Sequence, residues 1–261
     1  MTNDLRNPFK VTDLLLAWSI PVTVLILWYI MTLGQSSTSL FPPPGDVGKA
    51  VVRLIADGTL AKNIEISTAR AAAGFVIGGL IGFLLGVVNG QFRLAEKILN
   101  TPIQMIRNVP HLAMLPLILI WFGIGETAKT VLISLGTFFP IYLNTFHGIR
   151  YVDHSLLEMG KTYGLTRFEL FKDIIFPGSM ASIMIGIRQS LGRMWLTLIV
   201  AETVAAKSGI GFMATNAREF MLMDVIVLSL IIYAFLGSLS DFAAGLIEKR
   251  VLRWHINYRK G

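Results

Sequence analysis

The chain has 261 residues, of which 54% are apolar and only 15% charged, with 24 glycines and a mean hydropathy of +0.64; a soluble domain carries about a quarter charged residues, so the composition excludes an ordinary soluble globule and points to a polytopic membrane protein. There is no cysteine, and the four histidines, at positions 111, 147, 154 and 255, show no ligand spacing, which excludes disulfides, thiolate metal sites and cysteine nucleophiles and leaves no zinc pattern. The net charge of +7 is what the positive-inside rule produces in a membrane protein, so it is read without a nucleic-acid partner.

A first membrane span is predicted from Leu14 to Leu33, 20 residues without a charge, about 30 Å of helix and therefore the thickness of a bilayer core. The apolar run is too long for a cleaved signal peptide, and no small-x-small site follows it. Beyond it FPPPG, Phe41 to Gly45, cannot be helical, whereas Val47, Ala50, Val51, Leu54 and Ile55 fall at helical spacing and read as a short amphipathic helix on the membrane surface.

The second span is predicted from Ala71 to Val88, where Gly74, Gly78, Gly82, Gly86 and Gly90 recur every fourth residue. Such a strip lets another helix approach closely, and it reads as a packing face rather than a pore. A short basic turn, Gln91 to Lys97, leads to a third span from about Val109 to Gly125 and a fourth from about Thr130 to His147, the latter containing Pro140 and Asn144. Proline within a span frees a backbone carbonyl and points to a helix packed against protein or a wet cavity.

A polar island, Glu158 to Pro177, interrupts the apolar sequence; it is followed by a fifth span, Gly178 to Ala201, carrying Arg188, Gln189 and Arg193, and by a sixth, from about Val225 to Ile247. The organisation that follows is a cytoplasmic segment 1–13, a span 14–33, an external connection 34–67 with its surface helix, a five-helix core 68–247 containing the loop 148–177, and a basic tail 248–261. With the N-terminus inside, cytoplasmic segments hold 13 of the 23 Lys and Arg and external segments 7, so both termini and the island are placed inside.

Two glycine patterns in polar segments do not carry nucleotide chemistry. Gly160, Lys161 and Thr162 could end a phosphate-binding loop, but the first glycine of that motif would fall on Ser155, no strand precedes it, and Glu158 would set a negative charge beside the phosphates. Gly209, Gly211 and Ala214 have dinucleotide-loop spacing without a surrounding βαβ unit and read as a flexible external turn. In the island, Leu156, Leu157 and Gly160 or Lys161 lie on one short helical pattern, Gly164 can end it in the left-handed conformation, and Phe168, Leu170, Phe171, Ile174 and Ile175 lie on a second. A hairpin apolar on one side and charged on the other suits a groove on a cytoplasmic protein.

For a solute path the informative residue is Arg188, about 15 Å into its span, where a charge costs about 2.5 to 3.5 kcal/mol and must face protein or water. Two readings stand: contact with an anionic solute, or a structural bond to helix carbonyls or to Asp241. Arg193 lies about 140° round the helix from it, and Arg107, Asn108, Asn144, Trp195 and Glu202 are further path candidates that equally suit packing. A stand-alone secondary transporter or an intramembrane enzyme is the competing class; ion-coupled carriers place acidic groups at midplane, whereas here they lie near span ends, and no catalytic constellation is present.

The spacing of Glu158, Gly164, Ile174 and Pro177 resembles the EAA motif of ABC importer permeases, E-A-A-x3-G-x9-I-x-L-P, with Met159 and Gly160 in place of its alanines and Phe176 in place of its leucine. FPPPGDV, ISTARAAAGFVIGGLIGFLLG, PIQMIRNVPHLAMLPLILIWFGIGETAKT, FFPIYLNTFHGIR, IRQSLGRMWLTLIVAE and SGIGFM are similar to the permeases for aliphatic sulfonates, taurine, nitrate and bicarbonate. The resemblance implies an all-α fold of six transmembrane helices of the type I importer kind, in a bacterial inner membrane. It also implies a second copy of the chain as a homodimer partner, two ATP-binding cassette subunits that hold ATP and Mg and hydrolyse the nucleotide, and an extracytoplasmic substrate-binding protein. This chain would then bind no cofactor or metal and be no enzyme. Its coupling residues would be Glu158, Gly160, Lys161, Gly164, Phe168, Phe171, Ile174 and Pro177.

Overall fold

The computed structural model describes residues 11–34 and 40–254, and among these it is helical with no strand. The first ten residues and the last seven, with most of the expected cytoplasmic N-terminal segment and half of the basic tail, lie outside the described residues. Helix α1 runs Val11–Met31, α2 Pro44–Ala56 and α3 Thr59–Gln91. They are followed by α4 Arg93–Arg107, a 3₁₀ turn His111–Met114, α5 Leu115–Phe122 and α6 Glu126–Arg150. The polar island forms α7 His154–Thr162, α8 Arg167–Leu170 and one π-helical turn Phe171–Ile175, and then come α9 Phe176–Ala205, α10 Ile210–Glu219 and α11 Met223–Val251.

Among the described residues, three helical stretches are long and apolar enough to cross a membrane: α3, the continuous run Arg167–Val204, and α11. Helix α3 starts twelve residues before the predicted second span because nothing between Gly58 and Phe92 breaks a helix; Lys62, Asn63 and Arg70 end the apolar run without ending the hydrogen bonding. The basic turn at Gln91 is a single extended residue, Phe92, after which α4 begins. The predicted third span, from about Val109, starts at a bend: Arg93–Arg107, which precedes it, and His111–Phe122 meet at 83°. Pro110 supplies no N–H and disfavours helix at Val109, and α5, eight residues long, covers only about 12 Å.

The surface helix is also placed differently. Val47 and Ala50 of α2 are buried, with Val51 and Leu54 packed against the same core as residues of α3, α9, α10 and α11, so its apolar side is turned onto protein rather than lipid.

Helices α3 and α6 run parallel along the glycine strip. Gly74 sits beside Ile133, Gly78 beside Ser134 and Thr137, and at Gly82 a Cβ would come within 2.6 Å of the Phe138 carbonyl oxygen. At Gly86 it would meet the Tyr142 carbonyl at 2.9 Å, and at Gly90 the Ile149 side chain at 2.7 Å. With no side chains between them the two backbones touch, and Ser134 Oγ donates to the Gly74 carbonyl at 3.1 Å. The far side of α6 meets α9, antiparallel to it, through Gly136 against Thr197, Gly148 against Ser179 and Gly186 against the Pro140 carbonyl, where a Cβ would lie 2.9 Å away.

Gly82→Leu should therefore destabilise the protein by about 1 to 3 kcal/mol through overpacking, seen as a lower thermal midpoint in detergent. Gly45→Ala, where nothing lies within 4 Å, should leave the midpoint unchanged.

Candidate functional site

The island between α6 and α9 is a helical hairpin defined by its caps. Asp153 accepts from the Ser155 amide at 2.9 Å and from its hydroxyl at 2.7 Å, starting α7. Gly164, at φ +79°, ends that helix: the Leu165 amide donates to the Gly160 carbonyl at 3.1 Å and the Gly164 amide to the Lys161 carbonyl at 2.9 Å. Thr166 then opens α8 with a reciprocal cap, its amide donating to Glu169 Oε2 at 2.8 Å and the Glu169 amide to Thr166 Oγ1 at 3.3 Å. The Ser155 and Thr166 hydroxyls hold the Asp153 and Glu169 carboxyls below the usual carboxylate range. Both caps are thus fully charged at neutral pH and are lost as the pH falls through those depressed values.

The coupling residues divide into two groups. Glu158, Lys161, Gly164 and Phe168 are exposed, whereas Phe171, Ile174 and Pro177 are half-buried and Gly160 is buried. Phe171, Ile174 and Gly160, expected on the docking side, instead close the hairpin: a Cβ on Gly160 would lie 2.7 Å from the side-chain ends of both Ile174 and Leu170. The departure from alanine at Gly160 thus tightens the hairpin instead of loosening it. Exposed in their place are Leu156 and Met159 of α7 and Tyr163 at its C-cap, with Tyr163 at 80% and the neighbouring Phe168 at 73% exposure. Their spacing of i, i+3 and i+7 was the available signal, and an outward apolar stripe on a polar loop marks a protein contact.

Of the path candidates, Arg188 is committed within the chain. Its guanidinium donates to both oxygens of Asp241 at 2.9 and 3.0 Å and to Glu248 Oε2 at 3.0 Å, tying α9 to α11. Trp195 and Glu202 are buried; Trp195 Nε1 donates to Ser240 Oγ at 3.0 Å, and the ring lines a cavity between α9 and α11 together with Arg188 and Asp241. Arg107, Asn108 and Arg193 are exposed, and Asn144 is half-buried.

Glu202 anchors a sealed polar cluster that the sequence patterns did not bring together. Its carboxylate accepts from the hydroxyls of Ser67 at 2.8 Å and Tyr233 at 3.0 Å, the Arg70 guanidinium at 2.8 Å and the Gly211 amide at 2.9 Å. Arg70 also donates to both oxygens of Glu126 at 2.6 Å and to the Ser208 carbonyl. The glycine pattern after α9, expected as a flexible turn, is pinned here: the Gly209 amide donates to Asn63 Oδ1 at 2.7 Å and the Ile210 amide to Ser67 Oγ at 2.8 Å. At φ +105° with the Glu202 carboxylate against its Cα, position 209 admits only glycine.

Residues 78–253 match the family described as binding-protein-dependent transport system inner membrane component. The chain is 50% identical over 242 residues to the putative aliphatic sulfonates transport permease protein SsuC of Escherichia coli strain K12, covering 92% of each chain. It is 38% identical to the protein of the same name in Bacillus subtilis strain 168, covering 92% of this chain and 87% of that one. Its fold is similar to that in a crystal structure of an amino acid ABC transporter with histidines, at a TM-score of 0.64, 17% identity, and coverage of 77% of this chain and 97% of the other.

Arg70→Met would leave Glu202 buried with its charge unpaired, and a loss of about 3 to 5 kcal/mol is expected. Thermal unfolding should show most of that loss recovered in the Arg70→Met, Glu202→Gln double variant. The exposed Arg53 to Asp224 pair, 3.2 Å apart, should contribute no more than about 1 kcal/mol on Arg53→Ala.

Proposed function

The chain belongs to the binding-protein-dependent transport system inner membrane component family, and from that premise we propose how its parts divide the work of import. It is a multi-pass inner-membrane permease subunit of an ABC importer, a transporter rather than an enzyme. In our reading, α1, α3, the broken α4 and α5 pair, α6, α9 and α11 make six spans with both termini inside. Two copies pair in the membrane, each bound to an ATP-binding cassette subunit that holds ATP and Mg and carries out the hydrolysis, with a substrate-binding protein delivering solute outside. The solute is a small organic anion of the aliphatic sulfonate class, supported by the 50% identity to a relative with that name.

The observation that carries the coupling reading is mechanical. The exposed stripe Leu156, Met159, Tyr163 and Phe168 sits on a hairpin closed onto the first turns of a helical run that continues unbroken from Arg167 to Val204. When ATP draws the two cassettes together, a partner gripping the stripe moves α9 as one rod, with the π turn at 171–175 as its natural point of flexure. Access to the path then switches between the two sides.

The Glu158 side chain is 67% exposed and, among the described residues, meets only His154 within its own helix, so Glu158→Arg disturbs the outer face and not the fold. In proteoliposomes with the ATPase and binding protein, this variant should insert normally, lose the ATPase on purification and transport an alkanesulfonate less by a factor of about ten or more. Wild-type transport would refute the docking assignment. Gly164→Val, which forces a β-branched residue to φ +79°, should give the same loss by deforming the hairpin, at a cost of about 1 to 2 kcal/mol.

A further inference from the structure

We propose that the anionic headgroup of the solute is bound during passage by Arg193 and Gln189, one turn apart on α9, and not by Arg188. Arg188 already faces two carboxylates, so its site as a whole carries a negative charge and repels an anion. Arg193 lies at comparable depth, 17 residues into the 30 of α9, and is exposed. Its guanidinium meets no carboxylate or carbonyl among the described residues. An uncompensated cation at membrane depth is tolerated only where water or a negative ligand reaches it.

The groups around Arg193 are arranged as donors. Asn144 Nδ2 donates to the Pro140 carbonyl at 2.8 Å and to Gln189 Oε1 at 3.4 Å. Because Asn144 engages the oxygen of Gln189, the Gln189 amide NH₂ is the end left to face outward. On the following turn Thr197 Oγ1 donates to the Arg193 carbonyl at 2.8 Å, and His111 Nε2 stands 3.3 Å from the same hydroxyl. With the hydroxyl proton committed to the carbonyl, Nε2–H is the donor of that pair, which fixes the imidazole as a wall beside Arg193 at the break between α4 and α5. The exposed arc of α9 thus offers a planar, five-donor guanidinium and an amide NH₂ with no acceptor among the described residues, matched to the several oxygens of a sulfonate.

This inference rests on the sulfonate reading above, and one experiment separates the two. Proteoliposomes holding the chain with its ATPase and binding protein are assayed for ATP-driven uptake of ethanesulfonate and, in parallel, for ATP hydrolysis stimulated by the loaded binding protein. Arg193→Gln is expected to cut uptake about tenfold or more while stimulated hydrolysis persists, Arg193→Lys to give an intermediate rate, and Gln189→Leu to lower uptake without touching any charge. Wild-type uptake in Arg193→Gln overturns the site; if that variant fails to insert, wild-type uptake in Gln189→Leu does so. Wild-type vesicles in which the loaded binding protein stimulates hydrolysis but no alkanesulfonate enters would overturn the solute class, and the site with it.

Discussion

Helix α6 is held between α3 and α9 at distances that only glycine allows, and the rest of the fold follows from that contact. On one side Gly82 and Gly86 lie under carbonyls of α6; on the other, Gly148 and Gly186 bring α9 equally close. In a bilayer no hydrophobic effect draws helices together, so dispersion between touching backbones and hydroxyl bonds such as Ser182 Oγ to the Asn144 carbonyl at 2.8 Å hold the slab. Its rigidity makes α9 useful as a rod, carrying a displacement of its first turns along its length.

Two ionic clamps fix that rod laterally. Nearer the hairpin Arg188 ties it to α11 through Asp241 and Glu248; at the far end Glu202 ties it to α3 through Arg70 and pins residues 208–211. The buried Arg70–Glu202 pair adds little net stability because desolvation offsets its attraction, but it punishes any other arrangement and so sets the register of α9 against α3; the exposed Arg188–Asp241 pair holds α9 to α11 more weakly. Arg193, between them and bonded to neither, is the cation left for passing traffic.

The architecture was legible where one physical signal acts alone. Glycines every fourth residue gave the α3 packing face, and the spacing of Glu158, Gly164, Ile174 and Pro177 located the hairpin between two of its caps. The pattern failed where tertiary contacts decide. Hydropathy put Val109 to Gly125 in a span of its own although α4 packs as the other limb of a bent pair, and it sent α2 to lipid although protein covers Val47, Ala50, Val51 and Leu54. Arg70 and Glu202, 132 residues apart, belong to one cluster through the fold alone. For Arg188 the sequence held both roles open, and its bonds to both oxygens of Asp241 and to Glu248, about two turns beyond on α11, weigh toward the structural one.

The central claim is that the hairpin 154–175 is where the work of the ATPase enters the chain. Because the protein has no cysteine, a single Tyr163→Cys variant can be cross-linked within the assembled transporter without background. A short bifunctional reagent should join position 163 to the ATPase, with a yield that changes when ATP is added, and the same cysteine placed at Arg218 on α10 should give no product. An assembly that transports and hydrolyses ATP but never cross-links from position 163 would contradict the account.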